Sequence, residues 1–426
     1  MSDHIGEVAH DRLRREQFLA GEARAEGVDR RLLLRMLAAT GAVGATGAWA
    51  AAPAAAESRS ATAAATAGTV KPLPEEWFTV RGTNAETRFE ALRDTGRHTP
   101  VERFFVRNHT STPVIDKDSW SLRVWGSGLG RPDGTEFSYA DLRRLPSVTV
   151  SALVECAGNA RSYFDTQQGR PASGTAWTLG AVGSARWRGV RLADVLRLAG
   201  VRRDAVDVQP RGLDADYVTD DGANLGRVRR PLPVEKALDD VVLAYEMNGG
   251  PLPADHGHPV RVLVPSWVGI ASVKWVGDIE VSAEPLYSPW NTDFYRLFGD
   301  AYPPEGSAPL TRQTVKSAFE VAQGQEFAAG RTHVLTGRSW SGRGRVTSVE
   351  VSTDGGASWR PARLRDSPRQ DNWVRWSARW RPERAGARQL LARATDSRGV
   401  RQPERTVANE QGYLFDAVVR HPVSVV

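Results

Sequence analysis

Apolar and polar residues alternate with a period of two along the last quarter of the chain. The alternation is clearest in the stretches 346–364, 373–380 and 388–399, and Asp354, Gly355 and Gly356 supply a turn signal. Side chains of a strand point alternately to its two faces, so this period predicts strands with one buried face. Short strands separated by turns are typical of an immunoglobulin-like β-sandwich. Four tryptophans are expected in its core or interface: Trp359, Trp373, Trp376 and Trp380.

A different pattern runs through the middle of the chain. Residues 148–156 are rich in apolar and β-branched side chains, which predicts a buried strand that ends in a turn. Residues 191–201 carry apolar side chains at helical spacing before a glycine, which predicts an amphipathic helix. The stretch 302–313 has the proline and glycine content of a boundary. The predicted fold class is therefore α+β, with a mixed α/β domain over residues 75–305 and a β-sandwich over residues 306–426.

The first 74 residues follow neither pattern. A weakly apolar Ala/Gly/Leu stretch follows the pair Arg30 and Arg31, and small residues of the A-x-A type come after it. This order predicts a twin-arginine export signal over residues 1–56, with cleavage near Ala56 and a loose linker over residues 57–74. An Ala-rich disordered tail is the alternative. Arg35 interrupts the stretch, and Gly and Ala dominate it, so no stable membrane span is expected.

The net charge of the chain does not indicate a particular class of partner. The formal net charge is +6, but only five of the 56 basic residues are lysines, and acidic residues are interleaved with the arginines. A nucleic-acid-binding protein would concentrate basic residues in a stripe, so no nucleic-acid partner is expected.

The chain has a single cysteine, Cys156, at the end of the predicted strand 148–156. A lone cysteine is usually a small buried hydrophobe. At a strand end, beside a turn and Arg161, its soft thiolate is also a good ligand for a high-valent metal. His256 and His258 have the spacing of zinc ligands, but they lack a third ligand of the usual type nearby, and the end of a hairpin after Asn248-Gly249 explains them as well.

The motif ECAGNARS, residues 155–162, resembles the signature of the sulfite oxidase family of molybdenum enzymes. Segments with the same resemblance follow in the family's order, at residues 103–115, 174–196, 243–282 and 287–298. The resemblance covers roughly residues 75–426. It implies a sulfite-oxidase-type molybdopterin domain followed by an immunoglobulin-like dimerisation domain. It also implies a molybdenum–molybdopterin cofactor, with Cys156 as the protein's ligand to the metal.

By the same resemblance, residues of four segments are expected to contact the cofactor. These are Phe105, Arg107, Asn108, His109, Asp214, His256, Arg261, Ser272, Val273 and Lys274, with Asp216 as the alternative to Asp214. The cofactor ends in a phosphate, which needs cations and hydrogen-bond donors. Arg107 and Arg161 are expected to bind an oxyanion substrate, with Trp177 as a wall and Tyr295 as a hydrogen-bonding group.

Two positions depart from the family pattern. Gln411 stands where animal and plant members carry a further pocket arginine, and Ala160 stands where a second arginine often follows the asparagine. The first departure removes a positive charge from the expected substrate pocket. The resemblance as a whole implies oxidation of sulfite, although the missing charge would weaken sulfite binding. Oxidation of a sulfane or other sulfur compound, and reduction of an S- or N-oxide, remain as alternatives within the family, and a metal-free exported binding protein is the alternative from another class.

The sequence has no C-x-x-C-H motif and no further cysteines for an iron–sulfur cluster, and no haem domain fits before residue 75. Electrons are therefore expected to pass to an external acceptor such as a cytochrome c, or directly to oxygen. The family resemblance further implies a homodimer.

Overall fold

The computed structural model describes residues 68–369 and 371–426. The predicted export signal lies outside the described residues. Within them, the N-terminal region contains twelve strands, whose bounds are β1 Phe78–Arg81, β2 Asn84–Thr87, β3 Ser121–Trp125, β4 Thr135–Ser138, β5 Ser147–Glu155, β6 Val182–Arg191, β7 Asp207–Gly212, β8 Leu232–Pro233, β9 Val242–Met247, β10 Gly250–Pro251, β11 Arg261–Leu263 and β12 Val276–Ser282.

The helices of this region are short. The α-helices are α1 Tyr139–Arg144, α2 Ser162–Gln168, α3 Leu192–Leu198 and α4 Val234–Asp239. Single-turn 3₁₀ helices span Phe89–Leu92, Val101–Arg103, Ala254–His256 and Gly269–Ala271. The domain is thus mostly sheet, with fewer and shorter helices than the expected mixed α/β composition suggests.

Two five-stranded sheets form the body of the N-terminal region. One has the order β10-β9-β6-β5, with β11 also paired to β9, and the other has the order β4-β3-β12-β7-β8. Leu122, Val190, Leu243 and Ile279 belong to the large apolar core that these sheets share with α3. The sheets position the site because β5 ends beside it and β11 begins beside it.

Local sequence signals account for several of these elements. The predicted strand 148–156 is confirmed as β5, which ends at Glu155. The predicted amphipathic helix is confirmed as α3, and Gly200 follows it with a φ of 81°. Asn248 and Gly249 have φ values of 54° and 91° and join β9 to β10 as a two-residue turn, which confirms the turn signal of this segment.

The C-terminal region is the predicted β-sandwich. Its strands are β13 Lys316–Phe319, β14 Glu326–Phe327, β15 His333–Trp340, β16 Val346–Ser352, β17 Arg360–Pro361, β18 Arg363–Leu364, β19 Val374–Trp380, β20 Gly386–Asp396 and β21 His421–Val425. They form one sheet of order β13-β15-β19-β18 and another of order β14-β21-β20-β16-β17. Trp376 and Trp380 lie in the core between them. Trp359 is half-buried, with the Arg393 guanidinium 3.9 Å from its ring centre.

The two regions share a small apolar cluster. Leu153 of β5 and Val182 of β6 pack with Ala318, Trp340 and Trp373 of the sandwich. The N-terminal domain therefore packs against the sandwich through β5, the strand that precedes Cys156.

Residues 68–74 differ from the loose linker that their composition suggests. The backbone N–H groups of Val70 and Lys71 donate to the Asp255 carboxylate at 3.0 and 2.7 Å. The carbonyl of Gly68 accepts a hydrogen bond from the N–H of Thr112 at 2.8 Å. Among the described residues, no helix is both long and apolar enough to cross a membrane.

Candidate active site

Cys156 lies where two cavities meet. It follows the last residue of β5, is 9% exposed, and its N–H donates to the carbonyl of Ala181 at 2.9 Å. Arg107, His109, Cys156 and Tyr295 line both cavities. The thiol is therefore accessible from two differently lined spaces.

The first cavity brings together every residue that the sequence predicted around the cofactor. Its lining includes Phe105, Arg107, Asn108, His109, Cys156, Asp214, His256, Arg261, Ser272, Val273 and Lys274. These residues come from loops and strand ends that are up to 169 positions apart, from Phe105 to Lys274. Asp214 is 2% exposed and lines this cavity, whereas Asp216 accepts a hydrogen bond from Asn224 away from it.

Arg261 is a buried cation held by carbonyl groups. Its Nη1 donates to the carbonyl of His256 at 3.0 Å, and its Nη2 donates to that of Ser272 at 2.9 Å. Burial lowers the pKa of Arg261 to about 9. Carbonyls orient the guanidinium without neutralising it, so the charge remains available to an anion.

Lys274 is likewise a basic side chain that donates to a backbone carbonyl. Its ammonium donates to the carbonyl of Asp255 at 2.9 Å and also to the side-chain oxygen of Asn108. Burial, and then the neighbouring Arg261, hold the lysine pKa well below its usual value. Buried Arg261 and half-buried Lys274 line the same cavity, and burial and then their mutual repulsion lower the pKa of Lys274, which favours a negatively charged ligand there.

The two cavity histidines are held neutral. Burial, followed by Arg107 and Lys274, holds the pKa of His109 well below its usual value, and His109 Nε2 accepts a hydrogen bond from Trp290 Nε1 at 3.1 Å. Burial, followed by Lys71 and Lys274, does the same to the pKa of His256. Both rings can therefore donate or accept one hydrogen bond without adding charge.

Three buried polar atoms of this cavity have no hydrogen-bond partner among the described residues. They are Arg107 Nη1, Asp214 Oδ1 and His256 Nε2. Burial raises the pKa of Asp214 to about 6, so its carboxyl is poised between acceptor and donor. Such orphaned atoms are rare in folded proteins and fit a polar ligand with both donors and acceptors.

The second cavity surrounds Arg161. This arginine is 8% exposed, and its Nε and Nη1 donate to the carbonyls of Gln411 at 2.8 Å and Thr175 at 2.9 Å. Glycines flank the side chain: a Cβ at Gly158 or Gly174 would lie 2.5 or 2.8 Å from its guanidinium. The guanidinium is thus fixed by close backbone approach.

Aromatic rings complete the second cavity. Tyr295 and Tyr413 stack with ring centres 5.1 Å apart, and the Arg161 guanidinium lies 5.3 Å from the centre of the Tyr413 ring. Trp177, 1% exposed, forms part of the wall. Burial alone would lower the pKa of Arg107, but Tyr295 and Cys156 raise it overall. Burial raises the pKa of Tyr295, so its hydroxyl keeps its proton and can donate.

Gln411 also lines the second cavity. Its Nε2 donates to the carbonyl of Asp293 at 3.0 Å, and its buried Oε1 has no partner among the described residues. The predicted replacement therefore puts a neutral amide beside Arg161. Ala160 is buried with a φ of 76°, an uncommon value for a residue other than glycine.

The structure adds residues in and beside the site that the sequence did not single out. Tyr413 stacks on Tyr295, and its position two residues after Gln411 was the available signal. Lys71 donates to the carbonyl of Phe104, and the pKa of Lys71 is lowered to about 7 by burial. Asp255 holds the segment around Lys71. No local pattern marks either residue, because their contacts span 33 and 184 positions. His256 and His258 are not part of a metal-binding cluster within the described residues.

Two family models match the chain, one in the N-terminal region and one in the C-terminal β-sandwich. A family model described as oxidoreductase molybdopterin binding domain matches residues 109–290, and one described as Mo-co oxidoreductase dimerisation domain matches residues 312–425. Sulfite oxidase of Gallus gallus is 38% identical over 355 residues, which are 78% of this chain and 74% of that protein. The chain belongs to the sulfite oxidase family. Mitochondrial sulfite oxidase of Homo sapiens is also 38% identical over 361 residues, and the matched part spans 79% of this chain but only 63% of that protein.

A solved structure shows the same fold as this sulfite oxidase family member. The sulfane dehydrogenase SoxCD of Paracoccus pantotrophus superposes with a TM-score of 0.69 at 28% identity, covering 82% of this chain and 87% of that one. The predicted fold class, a molybdopterin-binding domain followed by a dimerisation domain, is thereby confirmed.

The first cavity fits the molybdenum–molybdopterin cofactor of the sulfite oxidase family. Arg261 and Lys274 would supply positive charge and hydrogen-bond donors for a phosphate, and the unpartnered atoms of Asp214 and His256 would supply polar contacts. Cys156 would supply a soft ligand where the first cavity meets the second. The individual roles of these residues remain predictions from the family motif and this geometry.

Proposed function

We propose that the protein oxidises sulfite to sulfate with molybdenum and passes the electrons to an external acceptor such as a cytochrome c. The observation that carries the proposal is the position of Cys156 in the shared wall of a cation-lined cavity and an arginine-lined cavity. Sulfite and water give sulfate, two protons and two electrons. When bound, the molybdenum cofactor supplies the oxygen atom and takes up the electron pair.

In this proposal the residues of the second cavity bind and orient the substrate. Arg161 and Arg107 hold the oxyanion by charge-assisted hydrogen bonds, which are stronger than neutral ones. Protonated Tyr295 donates a hydrogen bond at the same place. Trp177 and Tyr413 limit the access of water around the guanidinium of Arg161. Fixed donors lose little entropy on binding, so a small anion can be oriented by few contacts.

A second candidate substrate is a sulfane or other reduced sulfur compound. The neutral Gln411 beside Arg161 and the fold likeness to the sulfane dehydrogenase SoxCD favour it. Steady-state assays of the purified protein with sulfite, thiosulfate and other sulfur and nitrogen oxyanions decide between the candidates. Turnover of sulfite with the highest kcat/KM supports the main proposal, whereas turnover of a sulfane compound alone overturns it in favour of the second.

Metal analysis of the same preparation is the accompanying test. The proposal requires molybdenum and pterin in stoichiometric amounts. A folded protein that binds a sulfur oxyanion but contains neither after production in a cofactor-competent host would instead be a binding protein.

We also propose that the chain forms a homodimer through its C-terminal region and is exported by the twin-arginine route. The matched dimerisation domain supports the first, and Arg30 and Arg31 support the second. Sedimentation should give twice the mass of the chain. Changing both arginines to lysine should retain the protein in the cytoplasm, whereas normal export of that variant would refute the route.

A further inference from the structure

The strand that leads to Cys156 also contacts the β-sandwich, through a buried carboxylate. Successive strand side chains face opposite ways, and Glu155 lies away from both cavities while Cys156 lines them. Glu155 is 2% exposed, and its Oε1 accepts a hydrogen bond from Lys316 Nζ at 2.7 Å. Its Oε2 accepts one from Trp340 Nε1 at 3.0 Å. Lys316 and Trp340 are directly opposite each other on β13 and β15, so one face of the sandwich presents both donors.

The same carboxylate reaches the loop of residues 156–159. Asn159 Nδ2 donates to Glu155 Oε1 at 3.0 Å, and Asn159 Oδ1 accepts from the N–H of Ala181 at 3.0 Å. The carbonyl of Ala181 in turn accepts from the N–H of Cys156, and the carbonyl of Cys156 accepts from the N–H of Asn159, both at 2.9 Å. Both ends of the Asn159 amide are used, so its orientation, and with it the closed loop, depends on Glu155.

We propose that Lys316, Glu155 and Trp340 form a positioning network through which the β-sandwich fixes the direction of the Cys156 thiol. This rests on the proposed function, because it takes Cys156 as the ligand to the metal. None of the three residues lines either cavity, so they act through the loop and not on the substrate. Groups that orient a metal ligand from behind typically change metal affinity or activity by about 10- to 100-fold.

The chain offers a matched control for this network. Arg338 and Glu320 form a second buried ion pair at the same junction, with Nε and Oε1 2.6 Å apart. Arg338 lies on β15, two positions before Trp340, but it donates to the carbonyls of Leu92 at 2.9 Å and Gly96 at 3.1 Å. Its loss should destabilise the same junction without reaching the loop of Cys156.

The test compares Lys316→Met with Arg338→Met in the full-length purified enzyme. Three properties are measured beside thermal stability: kcat and KM for sulfite, the g-values of the Mo(V) EPR signal, and, in cofactor-free protein, the rate at which iodoacetamide labels the sole thiol. For Lys316→Met we expect kcat to fall by about 10- to 100-fold while KM stays within about twofold. The Mo(V) signal should shift and labelling should accelerate. Arg338→Met should lose stability and keep all three properties.

Removing one partner of a buried ion pair is strongly destabilising, so Trp340→Phe serves as a milder variant. It removes the hydrogen bond to Glu155 Oε2 and part of the ring packed against Phe89 and Trp373, but it keeps the ion pair of Lys316 with Glu155. We expect a smaller shift of the same three properties in the same direction. If Lys316→Met does not fold, unchanged properties in Trp340→Phe overturn the proposal. Equal effects in Lys316→Met and Arg338→Met overturn it as well.

The labelling arm separates this proposal from the proposed function. A parent protein without molybdenum would refute the function, and labelling of Cys156 would still report on the loop. Faster labelling in Lys316→Met than in Arg338→Met would then support the positioning network. Equal labelling rates would overturn it independently of the metal.

Discussion

The two cavities that meet at Cys156 hold positive charge in different ways. In the first cavity, buried Arg261 and half-buried Lys274 donate to backbone carbonyls, and their pKa values are lowered chiefly by burial. In the second cavity, Arg161 reaches the carbonyls of Gln411 and Thr175 and is flanked by glycines. The first arrangement places two basic groups on one cavity wall, which suits a permanently bound anion. The second fixes one guanidinium in place, which suits a small anion that enters and leaves.

The largest effect is expected at the residue that the cavities share. Cys156→Ser replaces a soft thiolate with a hard hydroxyl at the proposed metal ligand, so we expect turnover of sulfite to be abolished while the fold survives. Steady-state kinetics and circular dichroism measure the two properties. Appreciable turnover in this variant would mean that Cys156 is only a small buried hydrophobe.

Lys71, which lies beside the first cavity and acts on His256, should appear in the pH dependence of stability. Burial lowers the pKa of Lys71 to about 7 in the folded protein from 10.5. Between these values the unfolded chain binds more protons, so stability of the cofactor-free protein should rise with pH. Solvent reaches part of this side chain, so we expect about 1–2 kcal/mol between pH 7.5 and 9.5.

Chemical denaturation of cofactor-free protein at several pH values checks this slope. Lys71→Met should reduce it, whereas Lys117→Met, at an exposed position, should leave it unchanged. The cofactor's anionic groups should raise the lysine pKa, so the loaded enzyme should show a smaller slope than the cofactor-free protein. Identical slopes in the parent and Lys71→Met would show that the lowered pKa of Lys71 does not cause the pH dependence of stability.

A substitution in the second cavity should change the affinity for the substrate. A charge-assisted hydrogen bond contributes about 1.5–3 kcal/mol, and each 1.4 kcal/mol is about tenfold. Arg161→Gln should therefore raise the KM for sulfite by roughly 10- to 100-fold. Arg203→Gln, at an exposed position, is the control. An unchanged KM in Arg161→Gln would remove this arginine from the substrate pocket.

Gln411→Arg should have the smallest effect. It adds a positive charge beside Arg161, and we expect the KM for sulfite to fall by up to about tenfold. If KM does not change while Arg161→Gln behaves as expected, Gln411 does not occupy the position of the family's further arginine. Paired measurements on the two variants therefore test the pocket and the alignment separately.

Sequence patterns predicted the parts of this molecule that depend on neighbours in the chain. The strand before Cys156, the helix that begins at Leu192 and the Asn248-Gly249 turn follow from local periods and turn chemistry. The family motif predicted which side chains line the first cavity. Neither source indicated Lys71, Lys316 or Trp340, because each acts through contacts with distant parts of the chain. Long-range pairing of charges in a core leaves no periodic signal.

The central claim is that the Cys156 thiolate is the protein's own ligand to molybdenum at the junction of the two cavities. X-ray absorption at the molybdenum edge counts the sulfur ligands of the metal in the purified parent and in Cys156→Ser. The account predicts one sulfur fewer in the variant, with the cofactor still retained by the cations of the first cavity. An equal number of sulfur ligands in both proteins, each with full molybdenum content, would contradict it.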